Sequence, residues 1–141
     1  MAIAQDVRTY LLTKSAVTTL VGTRIFPSFI PQSNTTYPCI VYNLINQLPA
    51  HMLSGGAGYA ETRVQLDVYA TTLLVAESLA EVLRDELQGY KGTMGSSTVS
   101  SVVYKNMVGF YEPPQDQSDT GLFRYACDYW IRHNQAVPTF A

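Results

Sequence analysis

Residues 59–70 alternate in character. Ala60, Thr62, Val64, Leu66 and Val68 stand against Glu61, Arg63, Gln65 and Asp67. A period of two with one apolar side predicts a half-exposed antiparallel strand. The period then changes. Ala76, Leu79, Ala80, Leu83 and Leu87 fall at helical spacing, with Glu77, Glu81, Arg84, Asp85 and Glu86 largely off that stripe. This predicts a helix packed by one face. Thr71 or Thr72 stands where an N-cap belongs, and Gly89 where helices stop. Near the start, Ile3, Val7, Tyr10 and Leu11 make another helical stripe within residues 3–14. Ser15 is placed to cap a short second helix that buries Val17, Leu20 and Val21 and stops at Gly22.

The other segments read as strands and connections. Residues 23–32 contain Pro27 and Pro31 and read as an extended link, tacked to the core by Ile25 and Phe26. Residues 38–47 are apolar at successive positions, the pattern of a strand covered on both faces. Residues 49–58 carry Gly55, Gly56 and Gly58 and read as a flexible loop. Residues 91–98 read as a Gly/Ser-rich connection. Residues 99–111 predict a strand with Val102, Tyr104, Val108 and Phe110 on one side. Residues 112–120 form a polar loop with two prolines and the acids Glu112, Asp116 and Asp119. In the last strand, 121–133, Phe123, Tyr125, Cys127, Tyr129 and Ile131 face one way; Leu122, Arg124, Ala126, Asp128, Trp130 and Arg132 face the other. The order α-(α)-β-β-α-β-β predicts an α+β fold. Its simplest form is a mainly antiparallel four-stranded sheet with two or three helices packed on one face. Residues 1–133 are expected to form a single domain, and 134–141 a short tail open to disorder.

Composition adds one hint. Charged residues make up 14% of the 141 residues, against about 25% in ordinary soluble domains. Surface buried against a partner would account for the deficit. Ten tyrosines fit the same idea, because tyrosine is enriched where proteins meet; it is also a good strand former. The net charge of −2 supplies no basic field for a nucleic-acid backbone. There is no basic run or long apolar stretch to suggest a membrane partner. The first ten residues are too polar for a signal peptide, so synthesis in a cytosol is expected. There Cys39 and Cys127 are expected to be buried free thiols.

Candidate chemistry is sparse. His51 lies in the glycine-rich stretch and His133 ends the last strand. With Cys39 and Cys127 they show no paired metal-ligand spacing. The run Gly55-Gly56-Ala57-Gly58 has no following Lys-Ser/Thr and precedes a strand, so it is not a phosphate loop. There is no nucleophile elbow. No cofactor, metal or catalytic residue is assigned, and the chain is expected not to be an enzyme. The mixed face of the last strand says more. Trp and Arg together favour interface centres. The expected interface residues are Arg124, Asp128, Trp130 and Arg132, with Glu61, Arg63 and Asp67 from the neighbouring alternating strand. Trp130 is the expected apolar anchor, and Asp67 or Glu61 are carboxylates that arginines could meet. The other reading places Trp130 in the core. His51, Met52, Leu53, Glu112, Asp116 and Asp119 are expected to lie on partner-binding loops.

Several stretches together resemble the tail-terminator, or tail-completion, proteins of long-tailed bacteriophages. Ala16-Val17-Thr18-Thr19-Leu20-Val21-Gly22-Thr23-Arg24-Ile25-Phe26-Pro27 resembles that family's short helix, glycine turn and I-[FY]-P exit. Tyr37-Pro38-Cys39-Ile40-Val41-Tyr42 is similar to its Y-P-hydrophobic strand, and Arg63-Val64-Gln65-Leu66-Asp67-Val68-Tyr69-Ala70 to its R-V-Q-[LV]-D-x-[YW]-A strand. Gly89-Tyr90-Lys91-Gly92 follows the helix in the expected place, and Thr120-Gly121-Leu122-Phe123-Arg124 resembles the opening of the last strand. These stretches cover most of residues 6–133. The resemblance implies a structural virion protein: a subunit of a ring, a hexamer, at the head-proximal end of the tail tube. Such a ring stops tube polymerisation and joins the tail to the head-tail connector protein. The implied partners are other copies of the chain, the tail tube protein and the connector. DNA would pass through the lumen without being bound specifically. The competing reading is a small cytosolic binding or enzymatic domain of the same architecture.

Overall fold

The structure, a computed structural model, describes residues 3–31, 36–53, 55–113 and 121–135. Its elements are α1 (Ile3–Leu12), α2 (Ser15–Val21), β1 (Ile25–Pro27), β2 (Cys39–Met52), β3 (Gly55–Ala70), α3 (Leu73–Leu87), β4 (Gly92–Met94), β5 (Ser97–Glu112) and β6 (Leu122–Asn134). The strands form one six-stranded sheet in the order β1-β2-β3-β6-β5-β4. The four long antiparallel strands are those expected from the sequence. Two short strands correct the four-stranded expectation. Ile25–Pro27 pairs in parallel with Ile40–Tyr42, and Gly92–Met94 turns back on Ser97–Val99. Three residues are too few for a period to register.

All three helices contact strands or one another on the same side of the sheet. The core between the layers is built from the residues whose spacing announced them. Val64, Leu66 and Val68 of β3 and Tyr129 and Ile131 of β6 meet Leu79, Leu83 and Leu87 of α3, all fully or almost fully buried. Thr72 caps α3 by accepting from the Val75 amide. Ser15, in contrast, is the first residue of α2 and not its cap; Lys14 holds that position without a side-chain bond. The Tyr10 hydroxyl donates to the Glu86 carbonyl and ties α1 to the end of α3.

Asp6 fastens α1 to the β4–β5 turn. Its carboxylate accepts from the Ser96 amide and from the hydroxyls of Ser96 and Ser97. The turn needs a glycine: Gly95 has φ +58°, and a Cβ there would lie 2.4 Å from Asp6 Oδ1. Burial raises the Asp6 pKa, but the hydrogen bonds from Ser97 and Ser96 outweigh it and leave the pKa below the ordinary 3.8. A depressed folded pKa contributes stability above the unfolded value, and that stability is lost as pH falls through the folded one. Asp6→Asn is therefore expected to cost about 1.5–3 kcal/mol at pH 7. The gap in melting temperature between variant and parent should narrow as pH falls below about 4; a gap that stays constant down to pH 2 would refute the assignment.

The two long hairpins open toward opposite ends of the sheet. Tyr59 pairs with Asn134, so the β2–β3 tip lies beyond the end of β6; Ala70 pairs with Phe123, so the β5–β6 connection lies at the other end. Residues 49–58 are not the flexible loop the glycines suggested. Pro49 pairs with Ala60, His51 with Gly56 and Met52 with Gly55, carrying the ladder almost to the tip. A proline is tolerated here because β2 is an edge strand at this height, and a bulge between Pro49 and His51 absorbs the irregularity. A second bulge, between Tyr104 and Asn106, inverts the parity of β5. Val102 and Tyr104 face the helices as expected, but Val108 and Phe110 pair with Ala126 and Arg124 on the opposite face.

Candidate protein-interaction surface

The sheet face away from the helices is built from the polar half of the alternation. Residues in register across β3 and β6 share a face, so Glu61 stands opposite Arg132, Arg63 opposite Trp130, Asp67 opposite Ala126 and Tyr69 opposite Arg124. Long side chains reach the diagonal neighbours. Arg63 bonds Asp128 at 2.5 Å and Arg124 bonds Asp67 at 2.9 Å. Arg132 lies 3.8 Å from Glu61, and Arg124 also lies 3.9 Å from Glu112. The arginines stack on rings as well, Arg124 over Tyr69 and Phe110 and Arg132 over Tyr59. Asp67 is 3% exposed and Asp128 7%. Two carboxylates are thus almost dry on a face that no second layer of the described residues covers, each within bonding distance of an arginine of the same chain. Arg124 and Arg132, expected to reach carboxylates across a subunit contact, meet Asp67 and Glu61 of their own chain.

Trp130 is half-buried on this face and belongs to none of these pairs. With Leu48 and Val103 it lines a shallow depression of ≈ 410 Å³ rimmed by Glu61, Lys105 and Arg132. The depression lies at the end of the sheet toward the β2–β3 tip.

Among the described residues the sheet also has two edges that other strands leave largely bare, which periodicity did not reveal; on β5 the Gly89 amide bonds the Val102 carbonyl. β1 covers β2 only at Ile40–Tyr42, and β4 covers β5 only at Ser97–Val99. Along the rest of β2, Leu44, Ile45, Leu48 and Met52 are exposed, and along β5 so are Val103, Met107, Val108 and Phe110. The expectation that β2 is covered on both faces therefore holds only at its start, where Cys39, Ile40 and Val41 are buried. The available signal was the run of large apolar residues combined with a proline and a histidine near a turn.

His51, Met52 and Leu53 lie exposed at the β2–β3 tip, on strand ends and turn rather than on a long loop. Glu112 ends β5 and faces Arg124; Asp116 and Asp119 lie outside the described residues. His133 is buried. Its Nδ1 donates to the Asn134 carbonyl, so Nε2 accepts from the Thr62 hydroxyl, which in turn accepts from Gln47. Burial pushes the thiols of Cys39 and Cys127 up to about 12, far from the thiolate that chemistry would need. Among the described residues no three His, Cys, Asp or Glu side chains gather to hold a metal ion.

The sequence profile of the family described as "Tail completion protein gp17" matches residues 5–133, from α1 into β6. The chain belongs to the tail completion protein gp17 family. It is a structural protein of phage-type tails and not an enzyme. No curated protein matches it in sequence. Among solved structures it is similar to a chain described as "Virion of native gene transfer agent (GTA) particle". That likeness has a TM-score of 0.69 at 15% identity, over 95% of this chain and 92% of the other. At that identity it speaks for a shared fold. The family match takes in both bare edges and the ion-paired face, so all of these features lie within the tail completion domain.

Proposed function

We propose that this chain is a ring subunit, in a hexamer, at the head-proximal end of a tail tube. There it stops tube polymerisation, provides the joint to the head connector, and lets DNA pass through its lumen. The membership in the tail completion family over residues 5–133 carries the reading. The bare strand edges and the low charge of the chain are consistent with a subunit that meets other subunits. The net charge of −2 and the pairing of Arg63, Arg124 and Arg132 with carboxylates of their own chain suit a conduit, because a strong basic field would hold the phosphates in transit. The interface assignment of Glu61, Arg63, Asp67, Arg124, Asp128, Trp130 and Arg132 stands as part of this proposal. Trp130 and its depression are the contact, reached from the hairpin-tip end by a tube or connector chain stacked on the ring, and the ion pairs hold that face in shape. His51, Met52 and Leu53 at the tip, and Glu112 with Asp116 and Asp119 at the other end, are proposed to touch the same axial neighbours.

The test is electron microscopy with light scattering, on the purified protein alone and mixed with the tail tube protein of its own virion. Closed rings, or caps on tube ends with tubes of defined length, are the expected result. A monomer in both conditions, with tube growth unaffected, would overturn the proposal.

A further inference from the structure

From the two bare edges we infer a specific joint between copies. The free stretch of β2 in one subunit pairs antiparallel with the free stretch of β5 in the next, in a register that sets Leu48 opposite Val108. The inference rests on the ring reading above and adds to it the surface, the strand sense and the offset.

Strand direction comes first. β2 and β6 run one way, β3 and β5 the other, so a copy placed edge to edge in the same orientation brings β5 beside β2 as an antiparallel pair. No inversion of either sheet is needed, and the helices of both copies stay on one side. The joint is heterologous: β2 of each copy is used by one neighbour and β5 by the other, which propagates around a ring.

The offset comes from what blocks each edge. β1 occupies the upper end of β2 at Ile40–Tyr42, and β4 the lower end of β5 at Ser97–Val99. The free stretches therefore lie at different heights. Leu48 is level with Glu61 of β3, while Val108 is level, through Ala126, with Asp67. Bringing them together shifts one copy by six residues, from position 61 to 67, or about 20 Å along the strands. An even shift matches the faces, as a continuous sheet requires, over the stretch between the bulges, residues 46–49 against 107–110. Leu48 and Val108 both lie on the open face, beside Glu61 and Ala126; Pro49 and Met107 both lie on the helix face. In this register β1 sits beyond the end of the neighbour's β5, and the neighbour's β4 beyond the tip of β2. The two short strands act as stops that limit sliding.

The shift also suits closure. Four long strands span about 19 Å across the sheet at ~4.8 Å each. A shift of about 20 Å for each such step tilts the strands by roughly 45°, at the upper end of the range that closed barrels adopt. The exposed apolar side chains agree with the joint. Leu48 on one edge and Met107, Val108 and Phe110 on the other are 39–52% exposed, and bare edges of this kind are normally protected by charge or cover.

Cysteine cross-linking tests the joint. Within one chain Leu48 and Val108 lie on opposite edges of the sheet, with β3 and β6 between them, so a disulfide joining them must be intermolecular. The native Cys39 and Cys127 are buried and do not compete. Opposed residues of an antiparallel pair are within disulfide reach. The variant Leu48→Cys/Val108→Cys, assembled with tube protein and oxidised, is expected to give a ladder of covalent oligomers ending at the ring, reversed by reductant. Leu48→Cys/Met107→Cys, one residue out of register and on the wrong face, is expected to give at least tenfold less. Rings seen by microscopy without the ladder, or with equal ladders from both variants, would overturn the joint and leave the ring reading intact. Failure of the parent protein to form rings or caps at all would overturn both.

Discussion

Replacing Trp130 with alanine is expected to abolish docking on the tube or connector while moving the melting temperature of the isolated chain by only a few degrees. The ring of Trp130 lies on the sheet face that no helix covers, half-buried among side chains rather than enclosed by a second layer. Truncating an enclosed aromatic empties a cavity and costs about 3–5 kcal/mol of folding stability. Here part of that surface already meets water, and the loss should be nearer 1 kcal/mol. If the depression between Leu48 and Val103 receives a side chain of an axial neighbour, losing its floor removes an anchor worth about 2 kcal/mol or more. That is at least ~30-fold in each association constant, and it is multiplied around a ring in which every subunit carries the change. Calorimetry of the monomer together with cap counts by microscopy separates the two outcomes. A drop in melting temperature above about 10 °C would put Trp130 in the core and remove the depression as a contact.

Arg124→Met should do the opposite, damaging the monomer itself. Arg124 bonds Asp67, which is 3% exposed. Its other contact, Glu112, is a solvent-side carboxylate of little energetic weight. Removing one partner of a buried pair leaves the other buried without its counter-charge, typically a loss of 3–5 kcal/mol. The arginine is partly exposed, and Gln65 also donates to Asp67, so about 2–3 kcal/mol is expected, or roughly 10 °C for a domain of this size. The diagnostic is the double variant Arg124→Met/Asp67→Leu. With both charges gone, most of the loss should return, since well-packed apolar pairs replace buried ion pairs at little cost. A double variant no more stable than the single one would mean that the pair does not act as a unit.

What could be read from the chain depended on how each element is covered. β3, β6 and α3 bury one side against the other layer and expose the other, and their residues alternate or recur accordingly. Leu66 and Leu83 fall on the apolar sides of their elements, and the alternation in β6 puts Tyr129 on one side and Arg124, Asp128, Trp130 and Arg132 on the other. The elements that misled do not follow that rule. The bulge after Tyr104 moves Val108 and Phe110 to the other face without altering composition. β2 begins buried on both sides and ends exposed on both, so no single period describes it. Gly55, Gly56 and Gly58 look like a loop in sequence, but Gly55 and Gly56 pair with the end of β2, and Gly58 takes a positive φ beside the bulge. β1 and β4 exist because longer strands offer them an edge, a tertiary cause that three residues cannot encode. For the candidate surface, residue types were legible but partners were not: nothing in the spacing says whether Arg124 finds its carboxylate in its own chain or in another.

The opposed hairpins give the subunit a direction. His51 and Met52 mark one end of the sheet; Glu112 and the start of α3, with Leu73 and Leu74 exposed, mark the other. Copies related by rotation about a single axis, with the strands tilted to it, would all point the same way, so a ring of them would have two unlike rims and no twofold axis across it. Such an object cannot be threaded backwards. In the proposed ring a tube would meet one rim and a head connector the other, so which side takes which partner would be set by the subunit before either is present.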